Sequence, residues 1–252
     1  MIKFGGKMNR PVEKIISKVI LSDRTINIKL IGDSITHGEG GTGFEQNGEQ
    51  FIEGYSRNND GYCWANLFKE YMENRFDCKV TNNGCTGEDI EFIIDNFEKL
   101  VDNDDDIVIC TIGTNNRERV PMEDFKYLRQ EYMERFYNNI VKLYVKFIEA
   151  NIDVIFVANI PASYKNEAVR DNLLRVFHMN DVNDIYMKAS AECGFPFISL
   201  YNLFLEYCDL KDISVDSLLA DGLHPNDEGY HLIFKLILRE FGIGKAKKHF
   251  CG

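Results

Sequence analysis

The sequence lacks a long apolar segment, and this absence excludes one class of protein. No stretch of the 252 residues approaches the roughly 20 apolar residues that a membrane-spanning helix needs. The most apolar part of the N-terminal region, Val12 to Leu21, is interrupted by Glu13, Lys14 and Lys18, which does not fit a secretory signal. We therefore expect neither a membrane-embedded chain nor a membrane partner.

Basic residues are also scarce. The chain has 29 lysines and arginines against 40 aspartates and glutamates, a formal net charge of -11 at pH 7. A negative surplus is repelled by nucleic-acid phosphates and anionic lipid. The one basic segment, residues 245–249, is expected to be a solvated chain end. We therefore predict no nucleic-acid partner.

Paired cysteines and clustered metal ligands are missing as well. The seven cysteines are odd in number and none forms a C-x-x-C pair, which predicts free thiols in a reducing cytoplasm. Neither cysteines nor histidines cluster at the spacing of zinc ligands. There is no internal repeat, low-complexity segment or linker. We expect a cytoplasmic protein without metal or cofactor.

Short apolar runs alternate along the chain with longer amphipathic ones. This alternation predicts an α/β domain with a parallel sheet of about five strands over residues 25–252, after an extension at 1–24 with a helix from Pro11 to Leu21. The predicted strands are 26–31, 78–81, 106–112, 153–158 and 197–200. The predicted helices are 62–76, 89–100, a long one opened by Pro121, 167–193 with a break near Met179, and one that follows Pro225 with Asn226 as its N-cap.

Polar segments follow the predicted strands, at the ends where ligands bind in open parallel sheets. Each segment alone fits a structural role. Ser34 could cap a helix, Gly87 could occupy a turn, and Asn115 could satisfy loop backbone. Asp221 and His224 could be a surface pair. The segments are GDSIT at 32–36, NNGCTGE at 82–88, GTNN at 113–116 and DGLHP at 221–225.

Together these residues form a catalytic set. A serine such as Ser34 becomes a nucleophile when a base takes its proton, and histidine is the side-chain type suited to this task at neutral pH. His224 is the candidate base. Asp221, three residues earlier, can fold back to fix the histidine tautomer. Attack on an ester creates an oxyanion that needs preorganised N–H donors. The backbone N–H groups of Ser34 and Gly87, with the Asn115 amide, would supply three.

The four segments resemble the SGNH hydrolases, also called the GDSL lipases and esterases. The family is named for a serine, a glycine, an asparagine and a histidine in four blocks. Here Ser34, Gly87, Asn115 and His224 match them in the family's order, over residues 32–225. The resemblance implies a flavodoxin-like three-layer α/β/α fold and a Ser–His–Asp triad, completed by Asp221, that acts without metal.

In two of the four blocks the match to the family pattern is incomplete or leaves a choice of residue. The third block of the family commonly reads G-x-N-D, whereas this chain has Asn116 in the last place. The second block offers both Gly84 and Gly87, and we prefer Gly87 because it lies five residues after Asn82. The G-x-S-x-G motif of α/β-hydrolases is absent at Ser34, which argues against that fold.

The segment after the nucleophile bears on the substrate. Residues 37–61 are rich in glycine and polar side chains, and we expect a structureless loop that forms one wall of the pocket. Its content favours a small polar ester, above all an O-acetyl group on a carbohydrate. We expect His37, Phe44, Tyr62 and Trp64 to contact the substrate, although such residues could instead only pin the loop to the body.

Several alternatives remain open at this point. The same triad would serve a lipase or lysophospholipase, a thioesterase or an acyltransferase. Metal-assisted phosphoester hydrolysis would use Asp33, Asp221 and His224 as ligands, but such sites usually have more carboxylates or histidines. A non-catalytic carbohydrate-binding module would have no use for both Asp221 and His224. The pattern does not indicate an oligomeric state.

Overall fold

In a computed structural model, which describes residues 12–45 and 48–243, a five-stranded sheet lies between two layers of helices. A 3₁₀ turn at Val215–Leu218 precedes the last helix. In chain order the other elements are α1 (Val12–Leu21), β1 (Ile26–Gly32), α2 (Ser34–His37), β2 (Gln50–Ile52), β3 (Tyr55–Ser56), α3 (Trp64–Glu73), β4 (Cys78–Gly84), α4 (Ile90–Asp95), α5 (Phe97–Leu100), β5 (Ile107–Thr111), β6 (Arg119–Pro121), α6 (Phe125–Glu149), β7 (Asp153–Ala158), α7 (Tyr164–Glu167), β8 (Leu173–Arg175), α8 (Met179–Cys193), β9 (Phe197–Ser199), α9 (Leu200–Lys211) and α10 (Asp227–Glu240).

The sheet has the strand order β4-β1-β5-β7-β9, and all neighbouring strands run parallel. In β5, Ile107 and Ile109 pack into the core beneath α1, α3, α9 and α10. The alternate residues Val108 and Cys110 pack into the core beneath α4, α5, α6 and α8. Burial on both faces explains why these strands are almost continuous in apolar residues. The predicted three-layer α/β/α fold is confirmed.

Helix α1 lies within the part of the chain predicted as an extension. Its Ile15, Ile16 and Val19 are buried in the same core as Phe68 and Ile233. The helix therefore belongs to the same helix layer as α3 and α10. Pro11, which the sequence places at its start, lies outside the described residues, as does the basic segment 245–249.

The helix predicted over 167–193 is wrong in its first half. After Glu167, the last residue of α7, the chain is helical again only over Met179–Cys193, and Leu173–Arg175 instead forms a strand that pairs with Arg119–Pro121. The cause is a two-residue turn, since Asp171 and Asn172 have φ angles of 52° and 60°. Aspartate and asparagine are the residues that favour such left-handed positions in hairpins.

Two other helix limits differ from the sequence prediction. Pro121 ends β6 instead of opening a helix, and α6 begins at Phe125 after a turn in which the Asp124 N–H donates to the Pro121 carbonyl at 3.0 Å. The helix predicted over 89–100 is divided at Asn96, whose side chain donates to the Phe92 carbonyl at 3.1 Å.

The sheet brings the polar segments together because β1, β4 and β5 end at the same level. Gly32 of β1 pairs with Gly84 of β4 on one side and with Thr111 of β5 on the other. The segments that follow these three strands therefore lie together at the carboxyl end of the sheet. This end of the sheet carries the candidate site.

Candidate active site

The segment around Ser34 is a tight turn from β1 into the short helix α2. Asp33 is the N-cap of this helix, and its carboxylate accepts the Ile35 N–H at 3.0 Å and the Asn159 amide at 2.9 Å. Burial raises the pKa of Asp33. A Cβ at Gly32 would lie 2.2 Å from the Thr111 carbonyl oxygen, so only glycine fits there. The turn thus places Ser34 at the end of the sheet.

His224 lies between Ser34 and Asp221. Its Nε2 is 2.9 Å from the Ser34 Oγ, and its Nδ1 is 2.8 Å from the Asp221 Oδ2. The other oxygen of Asp221 accepts the backbone N–H groups of Leu223 and His224 at 2.9 and 2.8 Å. Partial burial opposes ionisation of Asp221, but hydrogen bonds from His224 outweigh it and lower the pKa of this carboxyl. The three predicted residues form a continuous hydrogen-bonded chain.

The glycine and asparagine segments meet beside this chain. The Asn115 side-chain amide donates to the carbonyl of Glu88 at 2.8 Å, next to Gly87. An asparagine amide has two N–H groups, so a second donor remains. Gly87 lies in a turn with a φ of 84°, and the Cys85 N–H donates to the Gly32 carbonyl at 2.8 Å. Within the described residues, the Gly87 N–H has no hydrogen-bond acceptor.

Asn116, which departs from the usual family block, holds the start of α4. Its side-chain oxygen accepts the Ile90 N–H at 3.2 Å, and its amide donates to the Glu91 carboxylate at 2.7 Å. Partial burial raises the pKa of Glu91. An amide can satisfy both partners because it carries an acceptor and a donor. Asn116 therefore anchors the backbone next to Asn115.

The four residues predicted to contact substrate lie in different environments. Trp64 is 1% exposed and packs against Phe68 in the core. His37 is also 1% exposed; its Nε2 lies 2.9 Å from the Ser56 carbonyl, and burial lowers its pKa. Phe44 and Tyr62 are half-buried. Among the four, only Phe44 and Tyr62 have a surface that a ligand could reach.

The described parts of this segment, residues 37–45 and 48–61, are ordered by specific contacts, so the prediction of a structureless loop is wrong. The segment contains the β2–β3 hairpin. The backbone N–H and hydroxyl of Thr42 donate to Asp227 of α10, both at 2.8 Å. The buried Asn58 donates to the His37 carbonyl at 2.8 Å and accepts the Gly61 N–H at 2.9 Å. These bonds fix the segment to the body of the protein.

Glu39 is a site residue that the sequence analysis missed. Its Oε2 lies 3.7 Å from the Nε2 of His224. The flanking Gly38 and Gly40 have φ angles of 118° and 95°. A Cβ on Gly40 would lie 2.9 Å from the His224 Cβ, so the chain passes close against the histidine loop. The glycine-flanked acid in the sequence HGEGG was the available signal.

A second histidine–carboxylate pair, His178 and Glu167, was also missed. The His178 Nδ1 lies 2.9 Å from a Glu167 carboxylate oxygen. The other oxygen accepts from the fully buried Arg117 guanidinium at 2.5 Å, and Arg117 donates to the Thr114 carbonyl at 3.0 Å. Burial and the neighbouring arginines lower the pKa of Arg175 to about 10. This network joins α7 and α8 to the segment that carries Asn115.

The described residues contain no group of metal ligands, no disulfide and no membrane-spanning helix. Over residues 12–45 and 48–243, no three histidine, cysteine or acidic side chains are grouped to hold a metal ion. The six cysteines in these ranges are unpaired. No helix there has the length and apolarity that crossing a membrane requires.

Residues 30–232 match the model of the GDSL-like lipase/acylhydrolase family. Among solved structures, an acetylxylan esterase from Geobacillus stearothermophilus has a TM-score of 0.62 at 18% identity, covering 87% of this chain and 95% of that one. In two variants of that enzyme described as catalytic mutants, a serine or a histidine is replaced by alanine.

A two-domain esterase active on acetylated mannans has a TM-score of 0.64 at 20% identity. The match covers 95% of this chain and 55% of that one. At these identities the likeness to both enzymes establishes a shared fold. A search of curated protein sequences found no match.

Proposed function

This chain belongs to the GDSL-like lipase/acylhydrolase family, and on that premise we propose that it hydrolyses small polar esters through an acyl-serine intermediate on Ser34. The proposed substrate is an O-acetyl group on a carbohydrate. The observation that carries the proposal is the hydrogen-bonded chain from the Ser34 Oγ through both ring nitrogens of His224 to Asp221.

In the proposed acylation step, the Ser34 Oγ attacks the ester carbonyl while the His224 Nε2 takes the hydroxyl proton. Asp221 holds the other ring nitrogen and stabilises the imidazolium. The developing oxyanion is bound by the backbone N–H groups of Ser34 and Gly87 and by the second amide N–H of Asn115. Collapse of the tetrahedral intermediate breaks the ester bond, and His224 gives its proton to the leaving alcohol.

Deacylation repeats these steps with water. His224 removes a proton from the water molecule, which attacks the acyl carbonyl, and then returns a proton to Ser34. An acyltransferase would use a second alcohol in place of the water. Because both reactions need the same three side chains, the products distinguish them.

Two observations support a short acyl group on a sugar. The two solved enzymes described above act on acetylated xylan and acetylated mannans. In this chain the segment that passes against His224 is polar. The Glu39 carbonyl accepts the Tyr230 hydroxyl, and the Thr42 N–H donates to Asp227, both in α10. A wall of this kind matches the hydroxyl groups of a carbohydrate better than an alkyl chain.

The test compares wild type and Ser34→Ala on a series of aryl esters from acetate to octanoate, and on acetylated xylo- and manno-oligosaccharides. We expect wild type to prefer acetate over octanoate by at least about 100-fold in kcat/KM and to release acetate from the sugars. Ser34→Ala should be inactive on all of them. A preference for octanoate, or transfer of acetyl to an added alcohol in place of hydrolysis, would contradict the proposal.

A further inference from the structure

The backbone of Glu39 is fixed directly beside the nucleophile helix. Its N–H donates to the Ser34 carbonyl at 3.0 Å, and its carbonyl accepts the hydroxyl of the buried Tyr230 at 2.6 Å. Gly40 then passes against the Pro225 carbonyl and the His224 side chain. Because these contacts use only the backbone of residues 39 and 40, they hold Glu39 in place whatever its side chain does.

The carboxylate of Glu39 differs from the two other acids of the site. Asp33 is fully buried and accepts from Ile35 and Asn159. Asp221 accepts two backbone N–H groups and faces the His224 ring. The Glu39 side chain is 35% exposed, and no hydrogen bond from the described residues reaches its oxygens. Among the described residues its carboxylate is within ion-pair distance of the His224 Nε2 but accepts no hydrogen bond.

The position of this acceptor relates it to the leaving alcohol. In acylation the His224 Nε2 donates a proton to the ester's leaving oxygen, so that oxygen must lie within hydrogen-bond reach of Nε2. The Glu39 Oε2 is 3.7 Å from the same nitrogen. A hydroxyl on the carbon adjacent to the one that bears the leaving oxygen is therefore within reach of Glu39. A carboxylate binds a hydroxyl there through a strong, charge-assisted hydrogen bond.

We infer that Glu39 binds the alcohol part of the substrate, and that it selects neutral polyol esters with a free hydroxyl next to the esterified one. The inference rests on the proposed function, since it specifies the alcohol for the same reaction. The negative charge of Glu39 also disfavours alcohols that carry a carboxylate or phosphate at this position, because like charges in a partly buried site repel.

The test uses a pair of substrates that differ in one group. One is a monoacetylated methyl xyloside with a free hydroxyl beside the acetate, and the other has a hydrogen in place of that hydroxyl. Wild type should favour the first by at least about tenfold in kcat/KM. In Glu39→Ala the ratio should fall below about threefold, with Glu39→Gln intermediate. The matched control Glu45→Ala, an exposed acid in the same segment, should keep the wild-type ratio.

A third substrate tests the role of charge. A methyl glucuronide acetylated at O4 carries its carboxylate on the carbon adjacent to the acetylated one. It should be a poor substrate of wild type, and its kcat/KM relative to that of the acetylated xyloside should rise in Glu39→Ala. A loss of selectivity cannot be explained by general damage to the fold, because such damage would affect all the esters equally. Thermal melting of each variant checks that the protein is folded.

Two failures are distinguishable. If wild type hydrolyses aryl acetate but neither glycoside, the proposed carbohydrate substrate class is wrong and the inference falls with it. If wild type hydrolyses the glycosides and Glu39→Ala keeps the wild-type ratio between them, the inference about Glu39 is wrong and the proposed function stands.

Discussion

The described residues include two hydrogen-bonded histidine–carboxylate pairs with nearly the same geometry but different surroundings. The His224 Nδ1 lies 2.8 Å from Asp221, and the His178 Nδ1 lies 2.9 Å from Glu167. The Nε2 of His224 faces a serine hydroxyl at 2.9 Å. In the second pair it is the carboxylate that is shared, with the buried Arg117. A histidine–carboxylate pair alone is not a catalytic base. The ring nitrogen that does not face the carboxylate must also contact a group that can give up a proton, as the Ser34 hydroxyl can.

The two carboxylates also differ in what they hold. Asp221 accepts only from its own turn and from His224. Glu167 accepts from Arg117 and from the N–H of Met179, the first residue of α8, at 3.2 Å. Glu167 therefore joins separate elements of the fold, whereas Asp221 serves a single side chain. We expect the first pair to control turnover and the second to control stability.

The largest expected effect comes from the histidines. His224→Ala should lower kcat by about 10⁴- to 10⁶-fold, because serine hydrolases lose about this much with their base. His178→Ala should keep kcat within about fivefold and lose about 1 kcal/mol of stability, the value of one hydrogen bond. Steady-state kinetics and denaturant unfolding of both variants measure this contrast. Comparable kcat losses in the two variants would remove the distinction between the pairs.

The carboxylates should separate in the same way. Asp221→Asn should lower kcat by up to about 10⁴-fold, as the corresponding change does in serine proteases, with little change in the free energy of unfolding. Glu167→Gln should cost about 3–5 kcal/mol of stability, since it leaves the buried Arg117 without its counter-charge. An Asp221→Asn enzyme with wild-type kcat would mean that His224 does not depend on Asp221.

The His224–Asp221 pair can be predicted from the sequence because the pattern that identifies it is a short one. Asp221 and His224 are three residues apart on one turn, and Ser34 directly follows a strand whose end the apolar pattern marks. The level ends of β1, β4 and β5 then bring the blocks together. Fold class and triad could therefore be proposed before any coordinates.

The second pair could not be predicted because it depends on a turn that the apolar pattern hides. Glu167 and His178 are separated by a hairpin whose residues, Asp171 and Asn172, take positive φ angles, while the surrounding spacing resembles a helix. Glu39 was missed for a related reason. Glu39 belongs to the site only through contacts with Tyr230 and His224, both almost 200 residues away in sequence.

Asn115 and Asn116 are adjacent, but we expect the first to act in catalysis and the second in stability. Asn115→Ala should cost about 2.7–4 kcal/mol of transition-state stabilisation, a loss of about 10²- to 10³-fold expressed in kcat. Asn116→Ala should instead cost about 1–3 kcal/mol of stability, because it leaves the buried Ile90 N–H without an acceptor. If Asn115→Ala changes only KM, its amide binds ground-state substrate and not the oxyanion.

The smallest expected effect is that of a chelator. A serine mechanism requires no divalent cation, so dialysis against a chelator should change kcat/KM by less than about twofold. Readdition of zinc, manganese or magnesium should have no larger effect. A chelator-sensitive activity that zinc, manganese or magnesium restores would favour the phosphoesterase alternative with Asp33, Asp221 and His224 as ligands.

Stoichiometric labelling by a fluorophosphonate, followed by mass spectrometry of the peptides, tests the role of Ser34 most directly. We predict one label per chain on Ser34 and parallel loss of ester hydrolysis. The reaction should be much slower in His224→Ala, unchanged in His178→Ala and absent in Ser34→Ala. Full activity in an enzyme that resists the reagent, or a label on another residue with loss of activity, would contradict this role of Ser34.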